Sequence, residues 1–156
     1  MSQAGPVNDL DQAVGYVLKQ AAAALRAAMD AVLRPLALTV PQHACLELLG
    51  RRPGLSNAEL ARGAFVTRQS MNQVLRGLQE RGLVTRPAIA AHGRALPTQL
   101  TPDGRQVLRT ASTAVARVEV QMLAKLTADD QQRLRHDLAV CTDALTDTRR
   151  PQQQAG

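Results

Sequence analysis

Aromatic residues are almost missing from this sequence, which has one Phe, one Tyr and no Trp among 156 residues. A hydrophobic core must therefore consist of Leu, Val, Ala and Met, which suit packing between helices better than a β-sandwich. Apolar residues make up 45% of the chain, which is enough for such a core. The composition predicts a mainly helical protein of one domain or two small ones.

Cysteine is also scarce, since the chain contains only Cys45 and Cys141, far apart in the sequence. This pattern matches neither a disulfide framework nor a closely spaced metal site, and it favours a reducing compartment. No basic N-terminal stretch precedes an apolar run, and no segment approaches about eighteen uninterrupted apolar residues. We therefore expect a cytoplasmic protein that does not enter a membrane, with both cysteines as buried core thiols.

Motifs for catalysis and cofactor binding are absent as well. The sequence has no Gly-rich phosphate loop, no GxSxG elbow, and no HExxH or CxxC spacing. His43 and Cys45 lie two positions apart on one predicted helix and so point to different faces, which disfavours a metal site. We predict no enzymatic activity, no metal and no cofactor.

Acidic residues are rare in one third of the chain. Residues 51–105 contain three acidic residues against nine arginines, and this excess equals the net charge of +6 of the whole sequence. Ordinary solvated helix faces mix both signs of charge, so the excess favours a polyanionic partner. Arginine suits bidentate contact with phosphates and guanine edges. The nine are Arg51, Arg52, Arg62, Arg68, Arg76, Arg81, Arg86, Arg94 and Arg105.

Helical periodicity and capping motifs divide the first half of the chain. Apolar residues at helical spacing predict one long helix over residues 9–34, ended by Pro35. Thr39 and Ser56, each followed three residues later by Gln or Glu, predict the starts of a second helix and of a short third helix. The dipeptide Pro53-Gly54 separates these two helices.

The next segment predicts a helix with two unlike faces, capped by Thr67. Apolar residues recur at i, i+3, i+4 and i+7 and predict the core face. This face consists of Met71, Val74, Leu75 and Leu78. Four polar residues gather within about one third of the circumference on the opposite side. This polar stripe consists of Gln69, Asn72, Gln73 and Arg76. Such side chains can read adenine and guanine edges in a major groove, although an ordinary amphipathic helix has the same pattern.

A β-hairpin is predicted after this helix. Residues 83–86 have the composition of a strand, and residues 98–101 have that of a returning strand. The loop between them has Pro at both ends and carries Arg94 at its tip, where Arg94 could enter a minor groove or contact phosphate. The order helix, turn, helix and hairpin is that of a winged helix-turn-helix.

Three stretches carry a resemblance to a known family: LTVPQHACLELL (38–49), LSNAELARGAFVTRQSMNQVLRGLQERGLVTRP (55–87) and GRALPTQLTPDGRQVL (93–108). Their order and spacing resemble those of the MarR family of bacterial transcriptional regulators. The resemblance implies a homodimer in which the first, fifth and sixth helices form the dimerisation domain. It also implies that two winged helices bind a pseudo-palindromic operator in double-stranded DNA, and that a small aromatic or phenolic ligand relieves repression.

The resemblance places the recognition helix at Thr67 to Arg76. The expected DNA-binding residues are Thr67, Arg68, Gln69, Ser70, Asn72, Gln73, Arg76, Arg86 and Arg94. Tyr16 and His43 are candidates for a ligand pocket between the dimerisation helices and the winged helix. The wing departs from the family pattern. His92-Gly93 stands where the family usually has Asp-Arg before the wing arginine. The acidic residue that usually supports the arginine matching Arg94 is therefore missing, which puts that support in doubt.

The C-terminal third predicts dimerisation independently. Thr101-Pro102 caps a helix, and Thr127 begins another, on which apolar residues recur at three- and four-residue steps as in a coiled coil. The two seams are Leu108, Ala111, Val115, Val118 and Met122, followed by Leu134, Leu138, Cys141 and Leu145. A small winged helix cannot cover these faces, so packing between subunits is favoured over an intramolecular bundle.

The predicted organisation has four parts: an N-terminal dimerisation helix (1–37), a winged helix-turn-helix DNA-binding domain (38–101), C-terminal dimerisation helices (102–148) and a disordered tail (149–156). The predicted function is a dimeric, sequence-specific DNA-binding regulator, a repressor released by a small aromatic ligand. Two alternatives stay open. One is a winged-helix protein-interaction module that does not bind DNA, and the other is a thiol-based regulator that senses redox state.

Overall fold

The computed structural model of the chain describes residues 10–86 and 98–147, and these ranges contain six α-helices and one two-stranded sheet. The elements in chain order are α1 Val14–Leu33, α2 Val40–Arg51, α3 Asn57–Gly63, α4 Arg68–Glu80, β1 Val84–Thr85, β2 Gln99–Leu100, α5 Pro102–Leu123 and α6 Ala128–Asp147. Two short 3-10 helices, Leu10–Gln12 and Arg34–Leu36, flank α1. The predicted fold, mainly helical with a small hairpin, is confirmed.

The long N-terminal helix is shorter than predicted. Its first turn is replaced by the separate 3-10 helix Leu10–Gln12, and α1 begins at Val14. Beyond the end of α1, Pro35 lies in the first turn of the second 3-10 helix, where no N–H donor is required. Ala37 then adopts a left-handed conformation with φ 53° and turns the chain toward α2.

The predicted helix caps of α2 and α3 are confirmed. Thr39 Oγ1 accepts a hydrogen bond from the Gln42 N–H at 3.2 Å, and Gln42 Oε1 accepts one from the Thr39 N–H at 3.0 Å. Ser56 and Glu59 form the same reciprocal pair at 3.2 and 2.8 Å. These bonds satisfy N–H groups that the start of a helix leaves unpaired.

The main core lies among α1 to α5 and the sheet. It contains aliphatic side chains, one Met and one Cys, and within the described ranges no aromatic residue belongs to it, as the composition predicts. Its buried members are Leu33, Leu38, Cys45, Leu46, Leu49, Leu55, Leu60, Ala61, Met71, Leu75, Leu78, Leu83, Val84, Leu100 and Ala111.

The two strands pair antiparallel, with Val84 opposite Leu100 and Thr85 opposite Gln99. Val84 and Leu100 are buried against the core, while Thr85 and Gln99 are exposed. The hairpin is therefore anchored at its base. The wing tip with Arg94 and His92-Gly93 lies outside the described residues, and so does the tail 149–156.

The predicted seam of α5 is partly covered by the chain itself. Ala111 belongs to the core, Val118 is 7% exposed, and a Cβ at Gly50 of α2 would lie 2.7 Å from Leu108 Cδ2. The prediction of a partner subunit over this part of the seam is therefore wrong, because Leu108 lies against Gly50 of α2 and Ala111 is already buried in the core. Met122, at the end of the seam, is exposed.

The chain divides into two units between Val118 and Glu119. In the second unit, Thr127 caps α6 by accepting a hydrogen bond from the Asp130 N–H at 3.1 Å. No residue of α6 is buried within this chain, and Cys141 is exposed. The prediction of two buried thiols is correct for Cys45 and wrong for Cys141, because the described residues leave the side chain of Cys141 exposed on α6.

Among the described residues, none of the helices combines the length and the hydrophobicity that a membrane span requires.

Candidate nucleic-acid interface

Hydrogen bonds fix the start of α4. Thr67 Oγ1 accepts from the Ser70 N–H at 3.1 Å and donates to Ser70 Oγ at 3.0 Å. Asn57, the first residue of α3, donates from Nδ2 to the Arg68 carbonyl oxygen at 3.4 Å. The N-terminus of α4 is therefore capped by its own sequence and also held by the neighbouring helix.

The body of α4 has the two faces that the periodicity predicts. Met71, Leu75 and Leu78 are fully buried, and Val74 is half-buried. Every residue of the polar stripe is exposed. A helix of 13 residues is about 20 Å long. The stripe therefore presents Asn and Gln amides and an Arg guanidinium along a helix that fits a major groove.

The other expected DNA-binding residues are divided by the structure. Thr67, Arg68 and Ser70 are exposed around the start of α4, beside the polar stripe. Arg86 is exposed directly after β1, at the base of the hairpin. Arg94 lies outside the described residues, so its part in DNA binding stays a prediction.

The arginines near this surface lack acidic partners. Between described residues, the only ion pair joins Arg133 to Asp130 in α6, at 3.8 Å. The hydrogen bond from the Ser56 N–H holds the pKa of Glu59 below its usual value, with smaller contributions from Arg52 and Arg62. Glu59 is thus used in the cap of α3, and the positive charge of the surrounding arginines remains available to an anionic partner.

Arg81 is an exception that the charge count cannot reveal. Its Nη1 donates to the Ala37 carbonyl oxygen at 2.6 Å, and its Nη2 donates to the Leu36 carbonyl oxygen at 3.1 Å. This arginine, included in the predicted polyanion-binding excess, is turned onto the protein. Its acceptors are backbone atoms distant in sequence, so no local pattern indicates the contact.

The turn between α3 and α4 contains an exposed aromatic residue. Phe65 has φ 58°, in the left-handed region that L-residues rarely adopt, and its side chain is 94% exposed. Gly63, the last residue of α3, permits close packing, since a Cβ there would lie 2.8 Å from Leu48 Cδ1. A strained and exposed Phe is characteristic of a functional position, and sequence reasoning did not identify it.

Phe65 also lines a cavity of about 690 Å³. The walls come from α1, α2 and the α3–α4 turn, and they include Arg26 and Arg51 together with Glu47. Its apolar lining includes Leu25, Met29, Val40, Leu48 and Val66. A volume of this size lies within the range of small-molecule sites, about 300 to 1,000 Å³. The cavity can therefore hold a small apolar molecule and places two cationic residues around it.

The structure brings neither of the predicted pocket residues to this cavity. Tyr16 is half-buried near the start of α1, before the part of the helix that lines the cavity. His43 is 2% exposed, and its Nε2 is buried without a hydrogen-bond partner among the described residues. Burial lowers the pKa of His43, an effect that Glu47 partly opposes. His43 is therefore a neutral core residue at neutral pH.

Cys45 is placed unfavourably for redox sensing. Burial raises the pKa of the Cys45 thiol to about 12, although the charge of Arg86 acts in the opposite direction. The thiol is therefore protonated at neutral pH, whereas oxidation requires the thiolate. Within the described ranges, no group of three or more His, Cys, Asp or Glu side chains could bind a metal ion.

Comparison with known proteins gives consistent matches. A sequence model of the MarR family matches residues 38–95. The HTH-type transcriptional repressor Rv2887 of Mycobacterium tuberculosis (strain H37Rv) is 45% identical to this chain over 128 residues, which cover 82% of this chain and 92% of the repressor.

Two solved structures of the M. tuberculosis MarR family protein Rv2887 are similar to this chain. The complex with salicylic acid has a TM-score of 0.69 and 44% identity, and covers 82% of this chain and 95% of that one. The complex with DNA has a TM-score of 0.68 and 40% identity, and covers 82% and 96% of the two chains.

Proposed function

The chain belongs to the MarR family of winged-helix transcriptional regulators, and we propose that it is a dimeric, sequence-specific DNA-binding repressor released from its operator by a small aromatic acid. The observation that carries the proposal is the exposed polar stripe of α4. Its amides and Arg76 face outward, while Met71, Leu75 and Leu78 on the opposite face are fully buried. A regulator binds and releases DNA, so the proposal requires no catalysis.

In the proposed complex, α4 lies in the major groove. Gln69, Asn72 and Gln73 contact adenine edges, and Arg76 donates to O6 and N7 of guanine. Arg68 at the helix start and Arg86 after β1 contact phosphates, which position the domain without reading sequence. Two copies read half-sites about one helical turn apart. The proposal includes a cytoplasmic location, where the DNA target is accessible.

Exposed apolar residues on two helices support the dimer. On α1, Val14, Val17 and Leu18 are exposed at helical spacing. On α6, Leu134 and Leu138 are exposed one turn apart. Exposed apolar side chains of this kind are typical of protein interfaces, and a second copy related by two-fold symmetry presents the same surfaces.

We propose the cavity beside Phe65 as the effector site. Arg26 and Arg51 suit a carboxylate, and the apolar lining suits an aromatic ring. Salicylic acid, present in the Rv2887 complex, combines these two groups. Phe65 lies two residues before Thr67, the N-cap of α4. A ligand against Phe65 is thus well placed to disturb the start of the recognition helix.

Selection from a random pool of duplexes tests the proposal. The purified chain should enrich two related half-sites in opposite orientation, because each subunit reads one. Binding to the enriched duplex should fall by roughly a thousandfold or more between about 50 and 200 mM salt, since several phosphate contacts release counterions. Millimolar salicylate should release the duplex.

Absence of salt-dependent binding to any duplex would overturn the DNA-binding function and favour the protein-interaction module. Enrichment of a single half-site would contradict the dimeric arrangement. Release by peroxide but not by salicylate would contradict the effector site and favour the thiol-based regulator. Changing Cys45 and Cys141 to Ser would then identify the sensor.

A further inference from the structure

Arg81 joins the end of α4 to the end of the helical run that contains α1. Its two Nη atoms donate to the consecutive carbonyl oxygens of Leu36 and Ala37, at 3.1 and 2.6 Å. These carbonyls belong to the last residue of the 3-10 helix Arg34–Leu36 and to its C-cap, and the carbonyl oxygens at the end of a helix attract a cation. The planar guanidinium can donate to both carbonyls at once. A lysine ammonium on its flexible stem lacks this paired arrangement of donors.

The side chain of Arg81 starts from a fixed backbone. The Arg81 N–H donates to the Gly77 carbonyl at 3.2 Å, and the Leu83 N–H donates to the Leu78 carbonyl at 2.9 Å. Gly82 adopts φ 69°, the left-handed conformation that ends many helices. The Arg81 side chain therefore extends from a rigid helix end and not from a mobile loop.

The same helix end is held from a second direction by the start of α5. Thr101 Oγ1 donates to the Gly82 carbonyl at 2.6 Å, and the Thr101 N–H donates to the Leu83 carbonyl at 3.1 Å. We name residues 81–83 the α4 joint. Through this joint, α4 is connected by hydrogen bonds to the end of the α1 run and to the start of α5.

We infer that Arg81 is a positioning residue for DNA recognition, which sets the half-site spacing by fixing the orientation of α4 relative to α1. The inference rests on the proposed function. With α1 at the subunit interface and α4 in the DNA, the angle between them determines how far apart the two recognition helices lie. One base pair of spacing changes this separation by about 3.4 Å, so a loosened joint should accept neighbouring spacings.

Removal of the side chain should leave the fold intact. Arg81 is exposed and both of its hydrogen bonds lie at the protein surface, so water can replace the guanidinium at both carbonyls. This separates the positioning role from a general folding role. It also separates Arg81 from the arginines proposed to contact phosphate, since its donors are already engaged with the protein.

The test is a parallel selection from a random duplex pool with the unmodified chain and the variants Arg81→Lys, Arg81→Ala and Arg76→Ala. The preference for the best half-site spacing over its neighbours should fall by roughly tenfold in both Arg81 variants, as expected for loss of a hydrogen bond to a charged group. Their base preference within each half-site should be unchanged. Arg76→Ala should do the opposite, relaxing base preference while keeping the spacing.

A second measurement uses the salt dependence of binding to the selected duplex. The Arg81 variants should keep the slope of the unmodified chain, whereas loss of a phosphate contact lowers it by about one. An unchanged spacing preference in folded Arg81 variants, or a slope lowered by about one, would overturn the inference while leaving the proposed function standing. Failure of the unmodified chain to bind any duplex would overturn the proposed function, and the inference with it.

Discussion

Gly104 in α5 lies so close to the carbonyl oxygen of Leu83 that a Cβ atom at residue 104 would overlap it. The approach is required by the hydrogen bond from the Thr101 N–H to the same carbonyl, at 3.1 Å. The Gly104 N–H in turn donates to Thr101 Oγ1 at 3.0 Å. Glycine is needed here for space, because α5 starts directly against the turn that ends α4.

Gly104→Ala should destabilise the chain by about 1 to 3 kcal/mol, the cost of overpacking a closely packed site. Gly15→Ala is the matched control, because a Cβ at Gly15 meets no atom within 4 Å. In a helix the control should be neutral or stabilising, by up to about 1 kcal/mol. Urea unfolding measures both variants, and equal effects would contradict the close approach at Leu83.

Arg76→Ala should cost roughly 1 to 3 kcal/mol of binding to the selected operator and relax the base preference at one position in each half-site. Loss of a bidentate contact with guanine is the reason. Arg109→Ala, an exposed arginine on α5, is the matched control and should leave the preference intact. Fluorescence anisotropy with single-base operator variants measures the difference, and identical profiles would refute the assignment of Arg76.

Arg51→Met and Arg26→Met should each weaken salicylate binding by roughly tenfold or more, because each removes a charged partner of the carboxylate. Phenol, which lacks the carboxylate, is the control ligand, and its affinity should change little. Isothermal titration calorimetry measures both. If salicylate and phenol lose affinity equally in these variants, the arginines shape the cavity and do not bind the carboxylate.

The stability of the fold should decrease below pH 6.5 because of His43. Burial holds the pKa of His43 in the folded chain below its usual value of 6.5. The unfolded chain therefore binds the proton first as the pH falls. This contribution to stability is fully present above pH 6.5 and is lost as the pH decreases through the folded pKa. In denaturant unfolding across this range, His43→Gln should flatten the pH dependence, and an unchanged pH dependence in this variant would contradict the assignment to His43.

Leu138→Glu should convert the proposed dimer to monomers, because an unpaired carboxylate in an apolar interface costs roughly 3 kcal/mol or more. Sedimentation equilibrium measures the change. His136→Glu adds the same side chain about 200° around the helix from Leu134, and it should leave the assembly intact. Dimers of normal strength in Leu138→Glu would exclude this face of α6 from the interface.

Local patterns were sufficient to predict much of the recognition helix. The cap at Thr67, the buried face with Met71 and Leu75, and the exposed polar stripe follow from hydrogen bonds and periodicity within a few residues. The caps at Thr39 and Ser56 are predictable for the same reason. Each depends on neighbours in sequence, and tertiary packing leaves them unchanged.

Features that depend on contacts between distant segments were not predictable. Arg81 is one arginine among many until the carbonyls of Leu36 and Ala37 approach it. The hydrophobic side chain of Phe65 would by itself suggest a core position. A left-handed backbone conformation in the turn instead exposes this side chain beside the cavity. Periodicity identified the apolar face of α5 correctly but could not show that Ala111 is buried in the core of the same chain or that Leu108 lies against Gly50 of α2.

The unequal burial of the two cysteines gives the molecule a built-in reporter of subunit exchange. Cys45 is enclosed and protonated, while Cys141 is exposed on the α6 seam of the single chain. A thiol-reactive dye should therefore modify one position per chain, and only while the proposed interface is open. The rate of its attachment then records how often two subunits separate, with no engineered label.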